Sequence, residues 1–272
     1  MRLAIVAGGW HWPLDFFCKI AAQAPGADLF AIAHRNPELP IVREEKREVL
    51  NKAVGPLADL DRELYAAFPS VAALRALGWD YAEEPNTVGD WGFFNQWLSQ
   101  HNYRDYDVVL NCHDDTYIHR PGLFDSLFSE SACDWKNWLI CANGRYPQAP
   151  PAYVRGSFEF WKPELLDMLG GQIDLGPISL TREGQIDTPA GLDALAAWNN
   201  TGVPLREFLV RRGLAGRVAY LSEFYRISPW VIEGERGFLH YQDGAPWSFE
   251  DGLREYLPCG SMADSHREGV HA

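Results

Sequence analysis

The order of apolar runs and breakers in the first 33 residues constrains the fold more than any other feature of the sequence. Arg2–Ala7 is a short apolar run typical of a buried parallel strand, and Gly8-Gly9 ends it. Pro13 fits the first turn of a helix that runs to about Gln23, and residues 27–33 (ADLFAIA) predict a second strand. Strand, glycine turn, helix and strand in this order begin a doubly wound α/β sheet.

The later apolar segments extend this pattern without a repeat or a linker. Further strands are predicted at 79–82, 107–111, 138–142, 218–221 and 237–241, with an extended stretch at 153–161. Helices are predicted at 42–52, 57–68, 71–77, 91–100, 162–169, 192–198 and 203–212. We therefore expect one domain over residues 1–259, with a mixed, mostly parallel sheet flanked by helices, and a flexible polar tail at 260–272.

The negative net charge of the chain disfavours nucleic acids as partners. The chain has 24 Lys and Arg against 37 Asp and Glu, a net charge of −13, which disfavours the phosphate contacts that dominate nucleic-acid binding. A smaller phosphate ligand remains compatible, because a bound metal ion inverts the local sign of the charge.

Cysteine usage and hydropathy indicate the compartment. The five cysteines form no CxxC pair, as expected in a reducing environment. The apolar run at the N-terminus is too short for a signal peptide, and no segment reaches the roughly 18 apolar residues of a transmembrane helix. We expect a cytoplasmic protein without a transmembrane segment, for which peripheral membrane contact stays open.

Two adjacent carboxylates follow the most strand-like run of the chain. The strand DVVLN at 107–111 ends in Cys112-His113-Asp114-Asp115. Ligands bind at the carboxyl ends of strands in open α/β sheets, and hard oxygen ligands there suit Mg²⁺ or Mn²⁺. The alternative is that Asp114-Asp115 caps the following turn.

A second polar segment lies about 25 residues before Asp114-Asp115 in the sequence. Asn86, Thr87 and Asp90 precede the helix at 91–100 and offer polar groups for a base or a ribose, while Gly89 permits close backbone approach. The alternative is an ordinary helix N-cap formed by Thr87 or Asp90.

These features together resemble the GT-A fold of glycosyltransferases, in particular the family 2-like enzymes. The shared features over roughly residues 1–240 are the short first strand, the Asn-x-x-Gly-Asp turn before a helix, and a strand ending in His113-Asp114-Asp115. The Asp pair is similar to the metal-binding DxD motif, with His113 in its first position. The stretch 155–162 (RGSFEFWK) resembles the region that shapes the acceptor site.

The resemblance implies a set of ligand contacts. Asp115 would hold Mn²⁺ or Mg²⁺, with His113 and the late His240 as further ligands. Alternatively, His113 donates a hydrogen bond to phosphate and His240 is a packed or surface histidine. The nucleotide-sugar would contact Ala7, Gly8, Arg35, Asn86, Asp90 and Asp114.

The implied reaction moves a sugar from a nucleotide-diphosphate donor to a hydroxyl of a saccharide or glycolipid. The donor would occupy the half of the domain at about residues 1–118, and the acceptor the half at about 119–259. An inverting enzyme also needs a carboxylate base, for which Glu159 and Asp193 are the candidates. Asp193 opens a predicted helix, so a helix-dipole role is its alternative, and a retaining enzyme would need no such base.

Three other functions compete with this interpretation. A nucleotidyltransferase of the same fold should carry Lys or Arg in the glycine loop after the first strand, and residues 7–12 (AGGWHW) have neither. A non-catalytic nucleotide-sugar-binding module would explain His113 as the replacement of a working metal ligand. A dehydrogenase is disfavoured because GxGxxG is absent after the first strand.

Overall fold

The computed structural model describes residues 1–9, 14–44, 70–84, 91–113, 116–118, 122–128, 136–142, 158–173, 202–220, 227–233 and 236–239. The strands in these ranges are β1 (Leu3–Gly9), β2 (Asp28–Ala33), β3 (Trp79–Glu83), β4 (Val108–His113), β5 (Thr116–Ile118), β6 (Ile140–Ala142), β7 (Phe158–Trp161), β8 (Val218–Tyr220), β9 (Ile227–Glu233) and β10 (Arg236–Leu239). The helices are α1 (Leu14–Gln23), α2 (Val71–Ala76), α3 (Gly92–Gln100), α4 (Leu123–Phe128), α5 (Pro163–Met168) and α6 (Gly202–Arg211).

Seven of these strands form one mixed sheet, in the order β3-β2-β1-β4-β7-β6-β8. Its neighbouring strands pair in parallel except where β7 joins, since β7 runs antiparallel to both β4 and β6. A smaller sheet has the order β10-β9-β5. The predicted α/β class, with a mixed and mostly parallel sheet flanked by helices, is confirmed.

Helices cover both faces of the seven-stranded sheet. Phe16, Phe17 and Ile20 of α1 pack on one face, which we call the α1 face. Phe93, Phe94 and Trp97 of α3 pack on the other, the α3 face, together with apolar residues of α5 and α6. Burial on both faces explains why β1 and β4 are nearly continuous apolar runs.

Side chains alternate between these two faces along each strand. The α1-face cluster includes Leu3, Ile5 and Ala7 of β1, whereas Ala4 and Val6 belong to the α3-face cluster. The same alternation applies to β4, and it determines which polar residues of that strand share a face.

Local signals in the sequence fix the ends of α2. The Ser70 side chain accepts a hydrogen bond from the Ala73 amide at 3.0 Å, a typical N-cap. After the helix, Gly78 has φ of 89°, a left-handed conformation that glycine adopts without steric cost, and β3 begins at the next residue. Helix, cap and strand therefore follow directly from the local sequence.

Within the described ranges, no helix combines the length and apolar character needed to cross a membrane.

A buried asparagine ties α3 to the chain that follows α5. The Asn95 amide donates to the Ile173 carbonyl oxygen at 3.1 Å, and the Asn95 side-chain oxygen accepts from the Ile173 amide at 2.8 Å. We expect Asn95→Ala to lower the free energy of unfolding by about 2 kcal/mol, because it leaves two buried backbone groups without these partners. Urea unfolding checks this, with Gln96→Ala as the matched helical control, and equal costs for the two variants would contradict it.

Candidate functional site

The strand order creates a topological switch point between β1 and β4. From β1 the chain adds β2 and then β3 on one side, and it adds β4 on the other side of β1. In open α/β sheets, ligands bind outside the carboxyl ends of the strands at such a point. The residues at this position are Gly8 of β1, His34 directly after β2, and His113 at the end of β4, and we call them the switch-point edge.

A buried aromatic ring lies against the middle of the switch-point edge. A Cβ atom on Gly8 would lie 2.2 Å from Cγ of Phe93, which is 1% exposed. The centre of the Phe93 ring lies 6.1 Å from that of His34 and 5.5 Å from that of His113. The Phe93 ring of α3 therefore packs near both imidazole rings, and Gly8 leaves room for the Phe93 ring because it has no side chain.

His34 is half-buried and held by the end of β3. Its Nδ1 lies 3.4 Å from the Glu84 carbonyl oxygen. The Glu84 amide donates to the Ala33 carbonyl at 2.9 Å, and Gln100 Nε2 donates to Glu84 Oε1 at 2.7 Å, so Glu84 is itself fixed. Burial lowers the pKa of His34 below its ordinary value, the nearby His113 lowers it further, and the hydrogen bond to Glu84 opposes this. The ring is therefore neutral at pH 7.

A polar pair lies on the α3 face, two residues before His113 along β4. Asn111 of β4 and Glu159 of β7 are register partners, and Asn111 Nδ2 donates to Glu159 Oε2 at 2.7 Å. Both side chains are fully buried. A buried polar group must be hydrogen-bonded to be tolerated, so this pair fixes the position of two polar side chains beneath the edge.

The structure brings several predicted residues to one edge. Gly8 pairs with Ile32 on one side and with His113 on the other. Ala7 is fully buried on the α1 face, and Arg35 is exposed immediately after His34. Their predicted nucleotide contacts remain predictions, and so does the metal-ligand role of His113.

The other predicted site residues lie outside the described residues or inside the sheet. Glu159, the predicted base, is buried in β7 as described above. Within the ranges that the structure covers, no group of three or more His, Cys, Asp and Glu side chains is placed to hold a metal ion. Outside the described residues lie Asn86, Asp90, Asp114, Asp115, Asp193 and His240.

Sequence reasoning missed one residue of this edge, His34, and one residue that packs against it, Phe93. His34 stands directly after the second predicted strand, and this position was the available signal, since the ends of adjacent parallel strands meet at one edge. Phe93 had no such signal, because an aromatic residue in an apolar helix is typical of any core.

Comparisons with known proteins add one distant likeness. No family model matches the chain, and no curated protein matches it. Among solved structures, it is similar to the glycosyltransferase GlyE of Streptococcus pneumoniae TIGR4, with 11% sequence identity and a TM-score of 0.39. The alignment covers 81% of this chain, which spans only 45% of that protein's length. One structural neighbour is thus a glycosyltransferase, and a likeness of this strength does not establish a shared activity.

Proposed function

We propose that the protein is a glycosyltransferase that moves a sugar from a nucleotide-diphosphate donor to a hydroxyl acceptor, with a divalent metal at Asp114 and Asp115. The observation that carries this proposal is the pairing of Gly8 with His113 across the switch point. This pairing places Gly8, a predicted contact of the nucleotide-sugar, beside His113, which immediately precedes the Asp pair in the sequence. Both residues lie at the edge where α/β sheets bind ligands.

The side chains near this edge include atoms that can act as metal ligands. His113 is half-buried at the last position of β4, and imidazole nitrogen is an accepted ligand of Mn²⁺. Asp114 and Asp115 follow it directly in the chain and would add hard oxygen ligands. A metal bound there would neutralise charge on the leaving diphosphate as a Lewis acid.

The burial of Glu159 determines the order in which the two candidate bases are best tested. A general base must come within hydrogen-bonding distance of the acceptor hydroxyl. Glu159 is fully buried and accepts a hydrogen bond from Asn111, so this structure does not present its carboxylate to an acceptor. For an inverting reaction we therefore propose testing Asp193 first and Glu159 second.

Thermal unfolding with nucleoside diphosphates, with and without Mn²⁺, tests the donor site. A nucleotide at about 100 times its dissociation constant adds about 2.7 kcal/mol of stability. In a domain of this size that raises the melting temperature by roughly 5–10 °C. We expect the shift to require metal and to vanish in Asp115→Ala, because the carboxylate that holds the metal is gone.

The matched control is Asp80→Ala, which removes an exposed carboxylate from β3, separated from β4 by two strands. It should keep the full shift. No shift with any nucleotide in the unaltered protein would refute the proposal. A shift without sugar transfer to any acceptor would instead indicate a non-catalytic binding module. Release of pyrophosphate from a nucleoside triphosphate in the presence of a sugar 1-phosphate would indicate a nucleotidyltransferase.

A further inference from the structure

His34 lies on the opposite side of β1 from His113, the residue that precedes the proposed metal site. It follows β2, whereas His113 is the last residue of β4, and β1 lies between these strands. Two strand spacings separate the two positions by about 10 Å. A nucleotide whose diphosphate lies at the end of β4 would therefore be long enough to reach the end of β2 with its nucleoside portion.

The hydrogen bond to Glu84 engages Nδ1 of His34 and leaves Nε2 as the nitrogen that a ligand can use. A carbonyl oxygen can only accept, so the Nδ1 atom that lies 3.4 Å from it carries the proton. Because the ring is neutral, Nε2 is unprotonated and can only accept a hydrogen bond.

The surroundings hold the ring in this orientation. Asn36 Nδ2 donates to Glu83 Oε1 at 2.9 Å, and the Asn36 side-chain oxygen accepts from the Glu38 amide at 2.8 Å, which fixes the turn after β2 to the end of β3. Phe93 packs against one side of the imidazole. A ligand group would therefore meet an acceptor that is already oriented, which lowers the entropic cost of binding.

We propose that His34 is a nucleoside-recognition residue, whose Nε2 accepts a hydrogen bond from an O–H or N–H group of the nucleoside portion of the donor. This inference rests on the proposed function. It favours nucleosides that present a donor at this position, either a ribose hydroxyl or a ring N–H of the base. A base that presents only acceptors there would leave Nε2 unpaired.

Calorimetric titration of purified protein tests the inference. The probes are the diphosphates of uridine, guanosine, cytidine and adenosine, with Mn²⁺. For the nucleotide that binds best, His34→Leu should weaken binding about tenfold, the loss of one hydrogen bond to a buried partner. His34→Gln should recover part of this affinity, because its side-chain oxygen can accept. The 2′-deoxy and 3′-deoxy forms of that nucleotide distinguish a ribose hydroxyl from a base N–H.

His101 supplies a matched control. It is also half-buried, and its Nδ1 lies 3.1 Å from the Trp97 carbonyl oxygen. Its ring packs on Phe30 at 4.8 Å, and Phe30 lies four residues before His34, roughly 13 Å back along β2. His101→Leu should leave nucleotide affinity unchanged.

The outcomes separate this inference from the proposed function. If no nucleotide binds the unaltered protein, both fail. If a nucleotide binds and His34→Leu weakens it no more than His101→Leu does, the inference fails and the proposed function stands. Nitrogen-15 NMR of the free protein gives an independent readout, since a protonated Nε2 on His34 would overturn the inference without any ligand.

Discussion

Gly8→Ala is expected to lower the free energy of unfolding by about 3 kcal/mol, at the upper end of the usual cost of overpacking a core. The added Cβ would lie 2.2, 2.4 and 2.5 Å from Cγ, Cδ2 and Cδ1 of Phe93. That ring is buried between β1 and α3, so either the helix or the strand must shift. Thermal unfolding should show a fall in melting temperature of roughly 6 °C or more.

Gly216→Ala is the control for this prediction, because a Cβ there meets nothing within 4 Å. A second check is the double variant Gly8→Ala with Phe93→Leu. The smaller side chain relieves the clash, so the double variant should cost less than the sum of the two single variants. Strict additivity would show that Phe93 is not the cause.

Asn111→Leu is expected to cost about 3 kcal/mol of folding free energy. The leucine fills a similar volume, but it removes the amide that donates to the Glu159 carboxylate at 2.7 Å. Loss of one partner from a buried hydrogen bond leaves the other polar group unsatisfied, which costs far more than the net worth of the bond. Urea unfolding at neutral pH measures the difference.

The matched variant Glu159→Gln should cost less than about 1 kcal/mol, because its side-chain oxygen still accepts from Asn111. Asn111→Leu made in a Glu159→Leu background should then cost less than Asn111→Leu alone, because neither member of the pair is left without its polar partner. Equal costs in the two backgrounds would contradict the role given to the hydrogen bond between Asn111 and Glu159.

The first half of the fold could be predicted because its local signals agree with its tertiary structure. The predicted strand at 27–33 is observed as Asp28–Ala33, and the predicted strand at 79–82 as Trp79–Glu83. In both cases an apolar run is bounded by a turn or a helix end, and burial on two faces of the sheet requires such a run. The helix of residues 91–100 is likewise observed as Gly92–Gln100.

Three elements could not be found in this way. β5 is three residues long and α4 six, which is too short for a periodicity to show. β9 (Ile227–Glu233) contains Pro229, which normally argues against an interior strand position. These elements depend on contacts distant in sequence, so no local pattern marks them.

The position of the candidate site at one edge of the sheet could be predicted from the sequence, but the contacts between its side chains could not. The strand-end rule locates Gly8 and His113 from the sequence alone. It does not indicate that Phe93 lies on Gly8, because that contact depends on how α3 docks on β1. Nor does it indicate that Asn111 lies opposite Glu159, because nothing in the sequence shows that β7 runs antiparallel.

The direction of β7 has a consequence for any attempt to alter the switch-point edge. Because Cys112 pairs with Phe158, the chain enters β7 at the edge where β1, β2 and β4 end. A change in the length of the chain before Phe158 would act at that edge, and the register of the parallel strands would stay unchanged. An engineering library that aims to alter this edge should therefore vary the residues that precede Phe158 in the sequence.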